Sequence, residues 1–268
     1  AWQEAPRLIR LAGFEGGVVS GNRLKGGQVE FLHGPWTITD NRYDGTPPGT
    51  YNYAVFVGHD TFDLTLAGNQ ADSIGPSGKT WRFLVLTGGA YHADVRENTI
   101  THIGPSDGDT IPDMNAAEII LTESYRLRYE GGIAAVSADG RLVRIFAPQG
   151  ERPQSGDVVG ILDGPSAGAY RRVLQTIDAT TLLLDAPLPA GTTAVSVADG
   201  FVATRFTANL IDARGGSAAD MVLAGNHYGT VVAWNTFLGG GAAFLITPMP
   251  TEEPGPWGWS QAPMFGLA

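Results

Sequence analysis

The sequence predicts an all-β protein built as a right-handed parallel β-helix, and three observations lead to this fold class. Seven asparagines recur in one frame, with an apolar residue three positions before each and another two positions after it. The 268 residues include 37 glycines and 17 prolines but only 16% charged residues, which suits many tight turns between short strands. No long amphipathic stretch competes, because the nearest one, residues 121–131, contains strand-favouring Thr and Tyr.

The recurring frame assigns the core positions. The asparagines are Asn22, Asn41, Asn69, Asn98, Asn209, Asn226 and Asn235, and the apolar residues three before them are Val19, Ile38, Leu66, Val95, Phe206, Leu223 and Val232. Alternate residues of a strand face opposite sides, so we assign this apolar set to the core. We expect the asparagines to stack in ladders at the turns. The interval from Asn226 to Asn235 is too short for a coil of about twenty residues, and it predicts a second turn position within one coil.

The frame disappears in the middle of the chain, which divides the sequence into three parts. Residues 1–147 and 201–268 are predicted to form β-helix coils. Residues 148–200 begin with a Pro- and Gly-rich stretch and continue as short alternating strands joined by Gly and Asp-Ala-Thr turns. This pattern predicts a small antiparallel β insertion that leaves the solenoid and returns to it. Extra-long coils with hairpin loops are the alternative.

Composition restricts the partners of the protein. The net charge of -10 makes the phosphate backbone of a nucleic acid an unfavourable partner. The absence of cysteine excludes disulfides and thiolate metal sites, and no apolar run is long enough to predict a membrane span. The chain begins with Ala1 and Trp2 rather than Met, which suggests a processed start. We therefore expect a secreted or cell-envelope protein.

Five segments resemble the pectate-lyase-like superfamily of right-handed parallel β-helix proteins. They are VVSGNRL (18–24), LTLAGNQ (64–70), DVRENTI (94–100), MVLAGNHYG (221–229) and WNTF (234–237). The superfamily contains polysaccharide lyases, glycoside hydrolases and epimerases, together with phage tailspikes and adhesins, so the resemblance implies carbohydrate as the ligand. The chain has no match to the paired-aspartate motif of polygalacturonases, the calcium cluster of pectate lyases or the aspartate–proline–histidine motif of mannuronan epimerases.

Alignment of neighbouring coils predicts a cluster of charged side chains on the outward face. Placing Asn69 over Asn98 puts Asp63 beside His92, and the segment SYRLRYEGG (124–132) then puts Arg126 over His92 and Arg128 over Asp94. Adjacent coils are about 4.8 Å apart, so the five charged residues would form a compact grid. A solvated ladder of ion pairs that stabilises neighbouring coils is the alternative interpretation.

This grid contains the parts that a uronic-acid lyase needs. A cation must bind the substrate carboxylate so that the neighbouring C–H becomes acidic, and a base must remove that proton. Arg126 or Arg128 would bind the carboxylate through its two-pronged geometry, and His92 would take or relay the proton. Asp94 would orient an arginine, and Asp63 would support His92.

Further residues are candidates for substrate binding. Arg82, Glu118 and Glu123 lie in predicted strands and are expected to contact a sugar, with the two glutamates as an alternative hydrolytic pair. Trp257 and Trp259 alternate in the C-terminal stretch, where aromatic faces would suit sugar rings or cover the end of the solenoid.

A weak calcium site is predicted in the loop SDGDTIPDMN (106–115). Its acidic residues Asp107, Asp109 and Asp113 supply oxygen ligands at close spacing, although the full calcium-loop pattern is missing. We expect no other cofactor.

The sequence favours an enzyme that acts on an extended, uronic-acid-containing polysaccharide by β-elimination rather than hydrolysis. A non-catalytic polysaccharide-binding or structural β-helix, such as an adhesin, is the alternative. The terminal coil needs a cover, because an open solenoid end exposes apolar core and strand edges. We expect residues 257–268, end-to-end contact with a second subunit, or flanking sequence beyond this chain to provide it.

Overall fold

The computed structural model describes residues 7–13, 15–44, 53–72, 81–101, 119–124, 126–148, 151–214, 220–239 and 245–247. Every regular element within these residues is a β-strand. The strands form three parallel sheets and one closed antiparallel barrel. The parallel sheets are stacked in rungs, and each rung adds a strand to each sheet, an arrangement compatible with a β-helix.

Four complete rungs come first along the chain. Their strands are β1 (Arg7–Gly13), β2 (Gly17–Ser20), β3 (Arg23–Lys25), β4 (Gln28–His33), β5 (Trp36–Thr39), β6 (Arg42–Asp44), β7 (Tyr53–Phe62), β8 (Thr65–Ala67), β9 (Gln70–Asp72), β10 (Trp81–Tyr91), β11 (Asp94–Arg96) and β12 (Thr99–Thr101).

The fifth rung starts with β13 (Ile120–Glu123) and is then interrupted by the barrel. The barrel strands are β14 (Leu127–Val136), β15 (Leu142–Ile145), β16 (Val158–Ile161), β17 (Tyr170–Thr176), β18 (Thr181–Leu184) and β19 (Ala194–Ala198). The remaining strands are β20 (Phe201–Val202), β21 (Arg205–Thr207), β22 (Leu210–Ala213), β23 (Met221–Ala224), β24 (His227–Tyr228), β25 (Val231–Ala233), β26 (Thr236–Gly239) and β27 (Leu245–Thr247).

Strand pairing gives each of the three parallel sheets a definite order of strands. Sheet 1 has nine strands in the order β1-β4-β7-β10-β13-β23-β27, with β20 paired to both β10 and β24. Sheet 2 has the order β2-β5-β8-β11-β21-β25, and sheet 3 has the order β3-β6-β9-β12-β22-β26. The barrel closes in the order β14-β15-β18-β17-β16-β19. β21 pairs directly with β11, so the rungs continue across the inserted barrel.

The predicted core positions lie inside the rungs. Val19, Ile38, Leu66, Val95, Phe206 and Leu223 are all buried in one hydrophobic cluster. Five of these residues also stack in register through sheet 2. Val232 is partly buried and packs against the same cluster, because its strand β25 is the last one of sheet 2.

An asparagine ladder joins sheets 2 and 3. Its members are Asn22, Asn41, Asn69, Asn98, Asn209 and Asn235. In a typical step, Asn98 donates its side-chain amide to Oδ1 of Asn209 at 2.9 Å and to the carbonyl of Leu66 at 2.9 Å. The backbone N–H of Asn98 also donates to Oδ1 of Asn209, at 3.1 Å. The residue before each ladder asparagine has a positive φ, which makes a two-residue turn whose second residue faces inward.

Asn226 shares the sequence frame but not the ladder. It lies between β23 and β24, in the same rung as Asn235, as the short interval between the two predicted. Its backbone N–H donates to Oγ of Ser124 at 2.5 Å, and its side-chain amide donates to the carbonyl of Asp199 at 2.8 Å. Asn226 therefore bridges the two points where the chain leaves and re-enters the fifth rung.

The barrel starts earlier than the predicted insertion. β14 and β15 lie within residues 1–147, which the sequence analysis assigned to coils, yet both pair antiparallel inside the barrel. Side-chain alternation is the same in a parallel coil and an antiparallel barrel, so the pattern could not show which partner these strands take. The barrel has its own core, formed by residues of all six strands.

The first prediction concerns the middle of the ladder. Asn98→Ala removes the acceptor of the buried backbone N–H of Asn69 and the donor to the carbonyl of Leu66. We expect a loss of about 2–4 kcal/mol in the free energy of unfolding, since each unsatisfied buried group costs about 1–3 kcal/mol. Asn22→Ala is the control, because Asn22 is exposed at the ladder end and Asn41 keeps its bonds to the next rung. Equal losses in urea unfolding for the two variants would contradict the ladder's role.

The second prediction concerns the insertion point. A Cβ on Gly225, whose φ is +93°, would lie 1.9 Å from the carbonyl oxygen of Ser124. Gly21 has a φ of +68° but open space around its Cβ position. Gly21→Ala should therefore cost only the backbone strain of about 1–2 kcal/mol, whereas Gly225→Ala should cost clearly more because the backbone of Ser124 must move. Chemical denaturation of both variants measures the difference, and similar stabilities would show that the insertion point tolerates a side chain.

Candidate functional site

The corner between sheets 1 and 2 presents a column of outward side chains. Asp63, His92 and Ala203 all adopt left-handed backbone angles there, with φ of 48°, 54° and 51°. The backbone N–H of Asp63 donates to the carbonyl of Tyr91 at 2.8 Å, and that of His92 to the carbonyl of Val202 at 2.9 Å. The left-handed residue projects its side chain from the turn, while the next residue continues into sheet 2. Side chains in this column are therefore neighbours on consecutive rungs.

Asp63 and His92 form a pair in solvent, in the relation that the coil alignment predicts. The distance from Asp63 Oδ1 to His92 Nδ1 is 3.1 Å, and the two side chains are 58% and 63% exposed. A carboxylate only accepts hydrogen bonds, so Nδ1 carries a proton, and in the neutral tautomer with this bond the lone pair is on Nε2. Nε2 has no partner among the residues that the structure describes. The pair thus has the arrangement of a general base and the group that orients it.

Arg205 occupies the position that the sequence analysis assigned to Arg128. Asp94 has Thr65 as its register partner on one side and Arg205 on the other. Arg205 is exposed and forms no ion pair within the described part of the chain. Asp94 itself pairs with Arg96 at 2.9 Å. The corner and the adjoining face of sheet 2 therefore bring together the imidazole of His92, the carboxylate of Asp63 that is paired with it, and the guanidinium of Arg205, which can bind an anion.

The predicted places of Arg126 and Arg128 are wrong. Arg128 is buried and forms ion pairs with Asp157 at 2.9 Å and with Glu151. The backbone N–H of Arg126 donates to Oδ1 of Asp199 at 3.1 Å. The segment resembles a coil but enters the barrel after Ser124, and so it never stacks on the rung of His92.

Burial has the largest effect on the pKa values of two aspartates next to barrel strands, Asp199 and Asp157. Desolvation raises the pKa of Asp199 to about 7, and the nearby carboxylate of Asp157 adds to the effect, while the N–H of Arg126 and the charge of Arg128 oppose it. Desolvation also raises the pKa of Asp157, although Arg128 acts in the opposite direction. Oδ2 of Asp199 is buried without a hydrogen-bond partner among the described residues, which fits a protonated carboxyl.

Of the other predicted binding residues, the structure describes only Arg82 and Glu123. Arg82 and Glu123 belong to strands of sheet 1. Glu118, Trp257 and Trp259 lie outside the described residues, and so do the calcium candidates Asp107, Asp109 and Asp113. The residues that the structure describes contain no group of three or more His, Asp or Glu arranged to hold a metal ion. Nor does this part of the chain contain a helix that is long and apolar enough to cross a membrane.

Sequence reasoning missed Arg205 on sheet 2 and Trp234 in the turn that follows the last strand of that sheet. Arg205 precedes Asn209 by four positions, as Asp94 precedes Asn98, so a direct alignment of these two asparagines would have found it. Trp234 stands at the far end of β25 from the His92 corner, with a φ of 58° and 81% exposure. Its left-handed angle belongs to the turn that precedes the ladder residue Asn235, but the exposed indole gains little from burial.

A comparison with protein-family models finds no match to this chain, and a comparison with curated proteins finds none either. The fold and the site define the class of protein: an all-β chain of parallel rungs with an inserted barrel, and an exposed Asp–His pair beside an arginine that forms no ion pair within the described residues.

The third prediction is a pH dependence of stability from Asp199. Its folded-state pKa of about 7 lies above the ordinary value of 3.8, so the folded protein binds the proton more tightly. The resulting stabilisation is complete below about pH 4 and is lost as the pH rises through about 7. Asp199→Asn keeps an acceptor for Arg126 but cannot ionise. We expect its melting temperature to fall less than that of the parent protein between about pH 5 and pH 8.

Asp178→Asn is the control for this experiment. Asp178 lies in an exposed barrel turn, where hydrogen bonds from Thr180 lower its pKa, so it stays ionised across the same range. The control should retain the parent's pH dependence. Parallel melting curves for the parent and Asp199→Asn would show that Asp199 is not the titrating group.

Proposed function

We propose that the rungs form a right-handed parallel β-helix of the pectate-lyase-like kind. Each rung returns to the same sheet as a parallel neighbour, and crossover connections between parallel strands are right-handed in nearly all proteins. The buried asparagine ladder and the short strands of sheets 2 and 3 support this architecture. The resemblance of the five sequence segments supports the same superfamily.

We propose further that the protein acts on an extended polysaccharide containing uronic acids, by β-elimination at the outward face of sheet 2. The observation that supports this best is the exposed Asp63–His92 pair on the rung next to Arg205, because neither Nε2 of His92 nor the Arg205 guanidinium has a partner among the described residues. Arginine binds a carboxylate by two parallel hydrogen bonds, and withdrawal of charge from that group makes the adjacent C–H more acidic.

The proposed reaction breaks two bonds and forms one double bond. His92 Nε2 takes the proton from the carbon next to the carboxylate, and the resulting negative charge spreads onto the carboxylate held by Arg205. The electron pair then forms a carbon–carbon double bond as the glycosidic C–O bond breaks. The leaving oxygen receives a proton from solvent, and no water is added to the new chain end.

Trp234 supports carbohydrate as the ligand class. Its exposed indole lies at the opposite edge of the same sheet, so a sugar chain crossing sheet 2 would pass over both the charged cluster and an aromatic face. Sugars present apolar C–H surfaces to such rings, and the rigid indole loses little conformational freedom on binding. An extracellular polysaccharide substrate would require a secreted or cell-envelope location, which we include in the proposal.

The second candidate is a non-catalytic polysaccharide-binding or structural β-helix. One observation favours it: Arg96 pairs with Asp94 and Glu97 of its own rung, at 2.9 and 2.8 Å, so charges on sheet 2 are neutralised within the protein. Such exposed pairs would stabilise the rung only modestly, because they contribute roughly 0–1 kcal/mol.

The fourth prediction separates these candidates. The purified protein is incubated with a panel of uronic-acid and neutral polysaccharides, and ultraviolet absorbance of unsaturated products and new reducing ends are both recorded. We expect both signals to rise on a uronic-acid polymer. His92→Ala should lower the rate by at least about a hundredfold, and Arg205→Ala should raise KM and lower kcat, because a general base and a charge clamp are removed.

His33→Ala is the matched control, since His33 also has a left-handed φ, of 62°, but lies two rungs away from His92 in sheet 1. It should leave the rate unchanged. Reducing ends without absorbance would indicate hydrolysis instead, and polysaccharide binding without either product would favour the second candidate. Full activity of His92→Ala would remove the site assignment.

A further inference from the structure

A second polar cluster lies on the outward face of sheet 1, away from the Asp63–His92 pair. His59, Thr87 and Glu123 are register partners on three consecutive strands, β7, β10 and β13. The same face carries a small apolar cluster separate from the main core, formed by Ala54, Val85, Leu121, Val222 and Ala224, all no more than 5% exposed. A buried apolar floor beside a few convergent polar groups is the usual composition of a ligand site.

His59 lies between Thr87, with which it shares a hydrogen bond, and the carboxylate of Glu30, which is beyond hydrogen-bond distance. His59 Nδ1 lies 2.6 Å from Thr87 Oγ1, and His59 Nε2 lies 3.8 Å from Glu30 Oε1. Glu30 in turn has Arg10 at 3.1 Å. The negative charge of Glu30 favours the tautomer with the proton on Nε2, in which Nδ1 accepts the hydrogen bond that the Thr87 hydroxyl donates. This tautomer is the one in which an imidazole can take a proton from a hydroxyl.

The three side chains, Glu30, His59 and Thr87, differ in how deeply they are buried. The Glu30 side chain is 7% exposed, whereas that of His59 is 37% exposed and Thr87 is half-buried. The carboxylate is therefore the most deeply buried of the three groups, and the imidazole is the one that reaches solvent. The strand pairing shifts by one residue directly after Thr87, at a bulge containing Gly88 and Gly89. Bulges of this kind re-aim a neighbouring side chain and are frequent beside active sites.

We propose that Thr87, His59 and Glu30 form a second catalytic centre, which hydrolyses carboxylic esters through an acyl-threonine intermediate. This inference does not rest on the proposed β-elimination, because it uses another sheet and other residues. Thr87 and His59 are its catalytic residues, and Glu30 is a positioning residue that acts through His59.

The proposed chemistry has two balanced steps. His59 Nδ1 takes the hydroxyl proton as Thr87 Oγ1 attacks the ester carbonyl; the bond to the alcohol breaks, and His59 returns the proton to the leaving alcohol. Water then attacks the acyl-threonine, with His59 taking its proton, and the carboxylic acid leaves as Oγ1 of Thr87 regains a proton from His59. The net reaction is ester plus water to acid plus alcohol, and it needs no further reactant.

The test uses the full chain with p-nitrophenyl acetate as the probe. Release of p-nitrophenol is followed for the parent protein and for Thr87→Val, which removes the hydroxyl at similar volume. We expect Thr87→Val to lose at least about a hundredfold of the rate above buffer, since the nucleophile is gone. Thr87→Ser keeps the hydroxyl and should retain activity. Thr37→Val, a half-buried threonine of sheet 2, is the matched control and should behave as the parent does.

Two further measurements make the result decisive. Acid quenching during turnover and peptide mass mapping should find one acetyl group on Thr87. Glu30→Gln should slow the reaction and move the ascending limb of its pH–rate profile to lower pH, because the imidazolium loses the nearby negative charge. A merely structural Glu30 would not move that limb.

Several outcomes would overturn the proposal. They are a parent protein with no hydrolysis above buffer, full activity in Thr87→Val, or an acetyl group found on another residue only. If Thr87→Val melts at a much lower temperature than the parent, the acetyl position and the Thr87→Ser rate decide instead. Absence of β-elimination on the polysaccharide panel would leave this result unaffected, so the failures of the two proposals can be told apart.

Discussion

The asparagine ladder is the interaction on which the rest of the rung stack depends. Strands of sheets 2 and 3 such as β8, β9, β11 and β12 have only three residues each, which is little pairing to hold a register. At their shared corner, each buried ladder asparagine supplies an acceptor to the backbone and side chain of the rung before it and a donor to that rung's carbonyl. A slip by one residue would break all of these bonds and turn the core side chains outward. The neighbourhood of Asp63, His92 and Arg205 exists because this register is held.

The inserted barrel shows how a second unit is accommodated without loss of that register. The ladder step from Asn98 to Asn209 spans 111 residues of sequence, yet its distance is the same as in the other steps. The chain leaves rung five at Ser124 and returns after Asp199, and Asn226 of the next rung binds both points. Gly225 leaves room for this contact, because the Ser124 carbonyl occupies the place of a Cβ. The barrel thus enters at a gap in sheet 1, while sheets 2 and 3 continue uninterrupted.

The sequence predicted the parallel stacking well because the frame records both strand alternation and turn conformation. It predicted Asp63 beside His92 for the same reason, since each stands a constant distance before a ladder asparagine. It failed where identical patterns serve different partners. Asn226 has the frame of a ladder residue but binds the insertion point, and Arg128 has the spacing of a coil residue but lies in the barrel with Asp157. Local alternation reports which way a side chain faces and not which strand lies beside it.

The histidines show how the position on a rung determines the chemistry that a ring can perform. His227 is fully buried with its nitrogens near hydroxyls of Thr122 and Thr230, at 3.0 and 3.1 Å, and burial lowers its pKa to about 3. It is therefore neutral and structural. His59 is partly exposed, with Nδ1 2.6 Å from the Thr87 hydroxyl and Nε2 3.8 Å from Glu30. His92 is exposed, with Nδ1 paired to Asp63 and no partner for Nε2 among the described residues. Because one buried ladder sets the register of the rungs, the same scaffold holds a buried, a partly exposed and an exposed histidine, each in a fixed environment.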